Sequence, residues 1–226
     1  MGTRWTIVVA AFLALTGAGS AAAVDSPEAM NRMGILYSTG AGGVPKDYVA
    51  ALAWYERGAE SGSTGAMNNI ATMYFHGLGV QQSYEETAKW LRLAVKQGDA
   101  NAQNRLGLLY EGGLGVEKSA HDAFEMFDLA AAQGYAPGMA SLGRAYARGI
   151  GVKRDEIHAY ALLSAAVEIG MRQGEREAAL YELGALSQRL DAKELERAQA
   201  DAEALIQARS KAASGAEEGA RSAYRL

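Results

Sequence analysis

Leu106-Gly107-Leu108-Leu109-Tyr110, followed by Gly113-Leu114-Gly115-Val116, places apolar groups at the first, fourth and fifth positions of a helix end and then stops it with glycines. The same pair of elements occurs four times. Met33-Gly34-Ile35-Leu36-Tyr37, Ile70-Ala71-Thr72-Met73-Tyr74 and Leu142-Gly143-Arg144-Ala145-Tyr146 are the equivalent helix ends. The matching turns are Gly40-Ala41-Gly42-Gly43-Val44, Gly77-Leu78-Gly79-Val80 and Gly149-Ile150-Gly151-Val152. Gly62, Gly98, Gly134 and Gly170 recur every 36 residues, and one extra residue in the first turn sets Tyr37 and Tyr74 37 apart. A fixed period of this length is the signature of a repeat array in which each unit packs on its neighbours.

The spacing predicts a second helix in each copy, over Asp47–Glu60, Ser83–Lys96, Ser119–Ala132 and Asp155–Glu168. Asp47, Ser83, Ser119 and Asp155 all stand three residues after the turn valine and suit the N-cap, where a side-chain oxygen accepts an otherwise unpaired amide. Ala51, Thr87, Ala123 and Ala159 supply the small position at the crossing with the first helix; Trp54, Trp90, Met126 and Leu162 fill the large one. Two further helices are expected over 172–189 and 192–208, the second opened by Asp191 and Glu194 as a capping box. Residues 209–226 lack an apolar stripe and are expected to be disordered.

These elements together resemble the Sel1-like repeats, relatives of the tetratricopeptide repeats. The departures are local: Ala71 replaces the first-helix glycine, and Met126-Phe127 and Leu162-Leu163 replace Trp-Tyr. The resemblance implies an all-α fold, a right-handed α-solenoid of four helix-turn-helix repeats (24–171, divided near 28–63, 64–99, 100–135 and 136–171) closed by C-terminal capping helices at 172–208. It also implies a protein-binding rather than catalytic role, with the first-helix faces lining the ligand groove.

Residues 1–23 read as a signal peptide: Arg4, an apolar run over 5–16, and a small-residue cleavage site at Ala21-Ala22-Ala23. The expected location is periplasmic or secreted, with cleavage after Ala23. The chain has no cysteine, which excludes a lipid anchor on a cleavage-site thiol and any disulfide. Removing 1–23 takes away one Arg and no acid, so the net charge of −4 becomes −5, with both signs interspersed. That balance argues against nucleic acid as a partner.

Chemistry is sparse. His76, His121 and His158 show no zinc spacing, and Glu85-Glu86 and Glu217-Glu218 are adjacent pairs that do not face each other on a helix. Lys118-Ser119 lacks the glycine a phosphate loop needs, and no Ser is followed three places on by Lys at 61, 83, 119 or 164. No catalytic residue, metal site or cofactor is implied. The groove expected from the resemblance is lined by Asn31, Asn68 and Asn104 at one register, then Ile35, Thr72, Leu108 and Arg144, then Phe75 and Glu111, with Arg148 at the last copy. An asparagine ladder of this kind would hold an extended peptide by its backbone, with apolar pockets between and an acid-reading arginine end. The expected partner is an envelope protein or peptide, such as the exported domain of a membrane sensor. The alternatives are a cell-wall glycan- or peptide-acting enzyme or binding protein, and a secreted effector.

Overall fold

The computed structural model describes residues 26–223; the expected signal peptide at 1–23 lies outside them. Every regular element among these residues is helical: α1 (Pro27–Thr39), α2 (Tyr48–Glu60), α3 (Thr64–His76), α4 (Tyr84–Lys96), α5 (Ala100–Gly112), α6 (Ala120–Ala132), α7 (Ala136–Arg148), α8 (Glu156–Ile169), α9 (Gln173–Ser187) and α10 (Ala192–Ala223). A short 3-10 turn, Ala41–Gly43, takes up the extra residue after α1. The chain forms two compact units, one containing the residues up to Ala102 together with 113–117, the other 103–112 and everything from Lys118 onward.

Odd-numbered helices of the array end on glycine. Gly40, Gly77 and Gly149 adopt left-handed backbone (φ +76°, +67° and +73°) and donate their amides back to Leu36, Met73 and Ala145. A residue with a Cβ reaches this region only at a cost, so glycine is the stop the geometry requires. The even-numbered helices start on the expected caps: Asp47, Ser83, Ser119 and Asp155 accept the amides of Ala50, Glu86, Asp122 and His158 at 2.9–3.2 Å. Each cap residue also donates its own amide to the tyrosine that closes the preceding helix. These bonds, Asp47 to Tyr37, Ser83 to Tyr74, Ser119 to Tyr110 and Asp155 to Tyr146, span 2.9–3.0 Å. The hairpin is therefore locked at both ends of its turn.

Inside each hairpin a small residue faces a large one. A methyl group on Gly34 would fall 2.3 Å from the Tyr55 ring, and one on Gly107 2.6 Å from Phe127. At Gly143 the neighbours are Leu163 at 3.0 Å and the Ala159 carbonyl at 3.1 Å. In the second copy Ala71 and Leu91 are both buried and take the two places, so a larger residue on one helix is matched by a smaller ring-free one on the other. Dense interior packing favours that exchange, although the fourth copy keeps Gly143 beside the smaller Leu163.

Between successive repeats the contact is backbone against backbone. A Cβ on Gly79 would meet the Tyr48 carbonyl carbon at 3.1 Å, on Gly115 the Tyr84 carbonyl carbon at 2.1 Å, and on Gly151 the Ala120 carbonyl oxygen at 2.1 Å. Each turn thus rests on the first turn of the preceding even-numbered helix, and all three glycines have positive φ.

The first unit carries a core of Ala29, Met30, Met33, Leu36, Val44 and Trp54, with Tyr37 against it. In the second, Phe127, Met139, Leu142, Leu162, Leu163 and Leu186 form a larger core joined by Leu205 and Ile206 of α10. Helices α9 and α10 both pack on α8. The capping box that opens α10 is present: Glu194 N–H reaches Asp191 Oδ1 at 2.8 Å, and Asp191 N–H reaches Glu194 Oε2 at 2.9 Å.

Helix α10 differs from the sequence expectation. It runs on to Ala223, through the stretch expected to be disordered from 209. Ala, Glu, Lys and Arg there offer no apolar stripe but have high intrinsic helix propensity, so a helix already docked upstream propagates through them. Arg209 itself lies over the closing turn of the third repeat, its Cδ 3.2 Å from where a Gly134 Cβ would be.

Two consequences are measurable. Gly107→Ala should lower stability by about 1–3 kcal/mol through overpacking, and Gly107→Ala with Phe127→Leu should show favourable coupling of about 1 kcal/mol in a double-mutant cycle, because the pair then reproduces the second copy. Gly115→Ala should lower the melting midpoint strongly, whereas Gly184→Ala, in the α9 interior with no atom within 4 Å of the added methyl, should stabilise by about 0.5–1 kcal/mol. Circular-dichroism melts of these variants, with the Phe127→Leu single variant that completes the cycle, check both.

Candidate functional site

The residues expected to line a groove fall into three groups. The asparagines are mostly taken up by the fold. Asn68 is 6% exposed and its amide donates to the Thr64 carbonyl and to Asp99 Oδ1, both at 3.0 Å. Asp99 also accepts the Ala102 amide at 2.8 Å, so one carboxylate caps the start of α5 and holds Asn68, all within the first unit. Asn31 is half-buried and accepts from Asn69 at 2.8 Å, joining the first copy to the second. Asn104 is 7% exposed, and its buried Oδ1 has no hydrogen-bond partner. One period after Asp99 the chain has Tyr135, which makes no side-chain cap. A ladder of free amides open to a peptide backbone is not what these three side chains form: Asn31 is engaged between repeats, Asn68 within its own, and Asn104 is buried.

Thr72 and Phe75 are likewise occupied. Thr72 Oγ1 donates to the Asn68 carbonyl at 2.9 Å, and the half-buried Phe75 ring stands edge-on to Tyr84 and His76, centroids 5.3 and 4.9 Å away. Arg144 is half-buried and its Nη2 donates to Ser141 Oγ at 3.0 Å. Glu111 is half-buried.

The third group remains open. Ile35 is 39% and Leu108 43% exposed at the same register of α1 and α5, each within its own unit. Arg148 is exposed at the end of α7 and pairs with Glu182 of α9, Nη2 to Oε1 3.2 Å. Around it the second unit brings together residues that repeat spacing did not connect. Ala147, Arg148, Arg154, Tyr181, Glu182, Ala185, Leu186 and Arg189 line a pocket of about 430 Å3. Its α9 members lie in the C-terminal cap, where the repeat pattern no longer reports which face a residue takes.

The remaining polar groups are structural in their surroundings. His121 meets Glu125 at 3.3 Å on the surface of α6, and His158 stacks edge-on against Tyr146 at 4.6 Å. Burial pushes the Tyr55 phenol up, partly offset by its hydrogen bond with Ser38, 3.0 Å away. Burial, then the charges of Asp128 and Asp155, raise Tyr146. Both phenols therefore stay protonated at neutral pH and act as hydrogen-bonding, packing groups. Among the described residues no three His, Asp or Glu side chains are placed to hold a metal ion, and no helix is long and apolar enough to cross a membrane.

A search of curated proteins finds no match. Among solved structures, a protective antigen present in uropathogenic Escherichia coli strains and displaying an SLR fold is similar at 26% identity and a TM-score of 0.76. The alignment covers 91% of this chain but 46% of the antigen, so the chain spans about half the length of that protein. A Sel1 repeat protein from Oxalobacter formigenes is 28% identical, with a TM-score of 0.63 over 84% of this chain and 86% of the other. The family model described as the Sel1 repeat matches residues 27–63, 64–99, 100–135 and 136–171. With four contiguous matches over more than half of its length, this chain belongs to the Sel1 repeat family.

Proposed function

We propose that this chain is a periplasmic adaptor that binds an envelope protein or peptide through the odd-numbered helix faces of its repeats. Sel1 repeat proteins mediate protein–protein interaction and generally serve as non-catalytic scaffolds. The observation that carries the finer reading is the register of the open side chains. Ile35 and Leu108 occupy the same place in two copies and stay accessible, while the apolar residues flanking them, Met33, Leu36, Leu106 and Leu109, are buried. A core position would not leave a branched aliphatic side chain in water in two copies, and interfaces draw their affinity from a few such anchors. At the neighbouring register Asn31 and Asn68 are already hydrogen-bonded within the fold. The ligand would then be held by apolar anchors and charge pairs rather than by an amide ladder. Export rests on the leader-like sequence at 1–23, and a structural relative described as a protective antigen accords with an exported protein. The partner in this reading is an envelope assembly factor or the exported domain of a membrane sensor.

Affinity capture of the chain from Val24 onward, out of a crosslinked envelope fraction, tests it. One dominant envelope protein should be retained, and Ile35→Asp or Leu108→Asp should each reduce its recovery about tenfold or more, the scale of one lost anchor, with an unchanged melt. Equal recovery by both folded variants, or a full-length unprocessed chain confined to the cytoplasm, would sink the proposal.

A further inference from the structure

The pocket at the end of α7 has a charge arrangement that the repeat pattern alone does not require. Arg148, Arg154, Arg189 and Glu182 line it, and Glu156 pairs with two of these arginines. Glu156 accepts Arg189 Nε at 3.0 Å and also pairs with Arg154 through the same oxygen, while Glu182 holds Arg148. The arginine side chains are 46–58% exposed and the two glutamates 19–25%, so the carboxylates sit inward and the guanidiniums face out. Each guanidinium carries five N–H donors, and its glutamate takes one in each contact described here. Three cations against two anions leave a net charge of +1. Beside this rim lie Ala147, Ala185 and Leu186, and the Tyr181 ring, 83% exposed, stands with its face uncovered.

We infer that this pocket binds a carboxylate of an acidic peptide segment, with an apolar residue next to the acid seated against Tyr181 and Ala185. The inference rests on the adaptor reading for the source of the peptide and adds the chemistry of the contact. A guanidinium edge matches a carboxylate in a two-point fork, which a lysine would not. A single carboxylate neutralises the net charge of +1, whereas a dianionic phosphate would overcompensate it. The volume is within the range of small-ligand pockets, enough for one acidic side chain and its neighbour but not for a folded element. Tyr181 gives the apolar neighbour a rigid, amphipathic wall, a use of exposed tyrosine that recurs at recognition sites.

The test uses the chain from Val24 to Leu226 and a fluorescein-labelled hexapeptide pool in which Asp or Glu is fixed beside Phe or Leu. The reference pool carries Asn or Gln at the acidic place. Fluorescence polarisation should show saturable binding of the acidic pool, weaker by about tenfold or more for the amide pool and in rising salt. Arg148→Gln, Arg189→Gln and Tyr181→Ala should each weaken it by a similar factor. Arg148→Lys should recover only part of the loss, and Lys89→Gln in the first unit should have no effect. Because Arg148→Gln also leaves Glu182 without its arginine, melts accompany each variant; loss of binding counts only at an unchanged melting midpoint, and Tyr181→Ala, which breaks no ion pair, decides if the arginine variants unfold. Equal binding of the two pools, or acidic-pool binding that Tyr181→Ala and the folded arginine variants leave intact, overturns the inference. An envelope protein captured equally with and without Arg148→Gln and Arg189→Gln also overturns it while leaving the adaptor in place. Selective peptide binding with no captured protein would instead uphold the pocket and end the adaptor reading.

Discussion

The contact on which the repeat geometry depends is the one that tolerates no side chain. Gly79, Gly115 and Gly151 bring the turn of one hairpin onto the first turn of the preceding even-numbered helix, with main-chain atoms 2.1–3.1 Å from where a Cβ would stand. Backbone cannot yield as a side-chain tip can, so each of these turns is held against its own helix within narrow limits. Positive φ at the same glycines fixes the direction of the chain as it leaves the turn. The cap hydrogen bonds, the tyrosine carbonyls and the Asn68–Asp99 tie then find their partners at repeatable places. They decorate a spacing that the glycines have already set.

Packing within the hairpin follows a different rule. Its small and large residues trade volume across the crossing, from Gly34 with Tyr55 and Gly107 with Phe127 to Ala71 with Leu91. Alanines dominate the rest of the buried surface, which lets helices approach without interdigitating large groups. Burial of such small side chains gives little free energy per residue, so the few large ones carry much of it: Phe127, Met33, Ile70, Leu91 and Leu163 are nearly inaccessible. A fold of this kind gains stability along its length, by adding interfaces, and has no need of a single thick core.

That division explains what the sequence discloses. Helix order, the stops at Gly77 and Gly149 and the caps at Asp47, Ser83, Ser119 and Asp155 could be read directly, because each depends on neighbours a few residues away and recurs four times. The asparagine register could be located but not interpreted. Periodicity places Asn68 on a face of α3; it does not say that Asp99 lies across from it, since that carboxylate is one non-repeating choice at a position held by Ser63 and Tyr135 in the flanking copies. The arginine pocket was least legible. Arg189 and Tyr181 belong to the cap, outside the period, and meet Arg148 only through the packing of α9 on α8. The extent of α10 was misjudged for a related reason: an absent apolar stripe reports on docking, while helix continuation depends on propensity.

The first turn is built differently from the others, and this bears on how such a chain changes length. Its extra residue is absorbed in the 3-10 turn Ala41–Gly43, where Gly42 and Gly43 take positive φ and an added methyl on Gly43 would meet nothing within 4 Å. The three later turns each press on a helix and have no such room. A single added residue is therefore accommodated at the Ala41–Gly43 turn, whereas a step of 36 residues is the one that returns Gly79, Gly115 and Gly151 to equivalent seats.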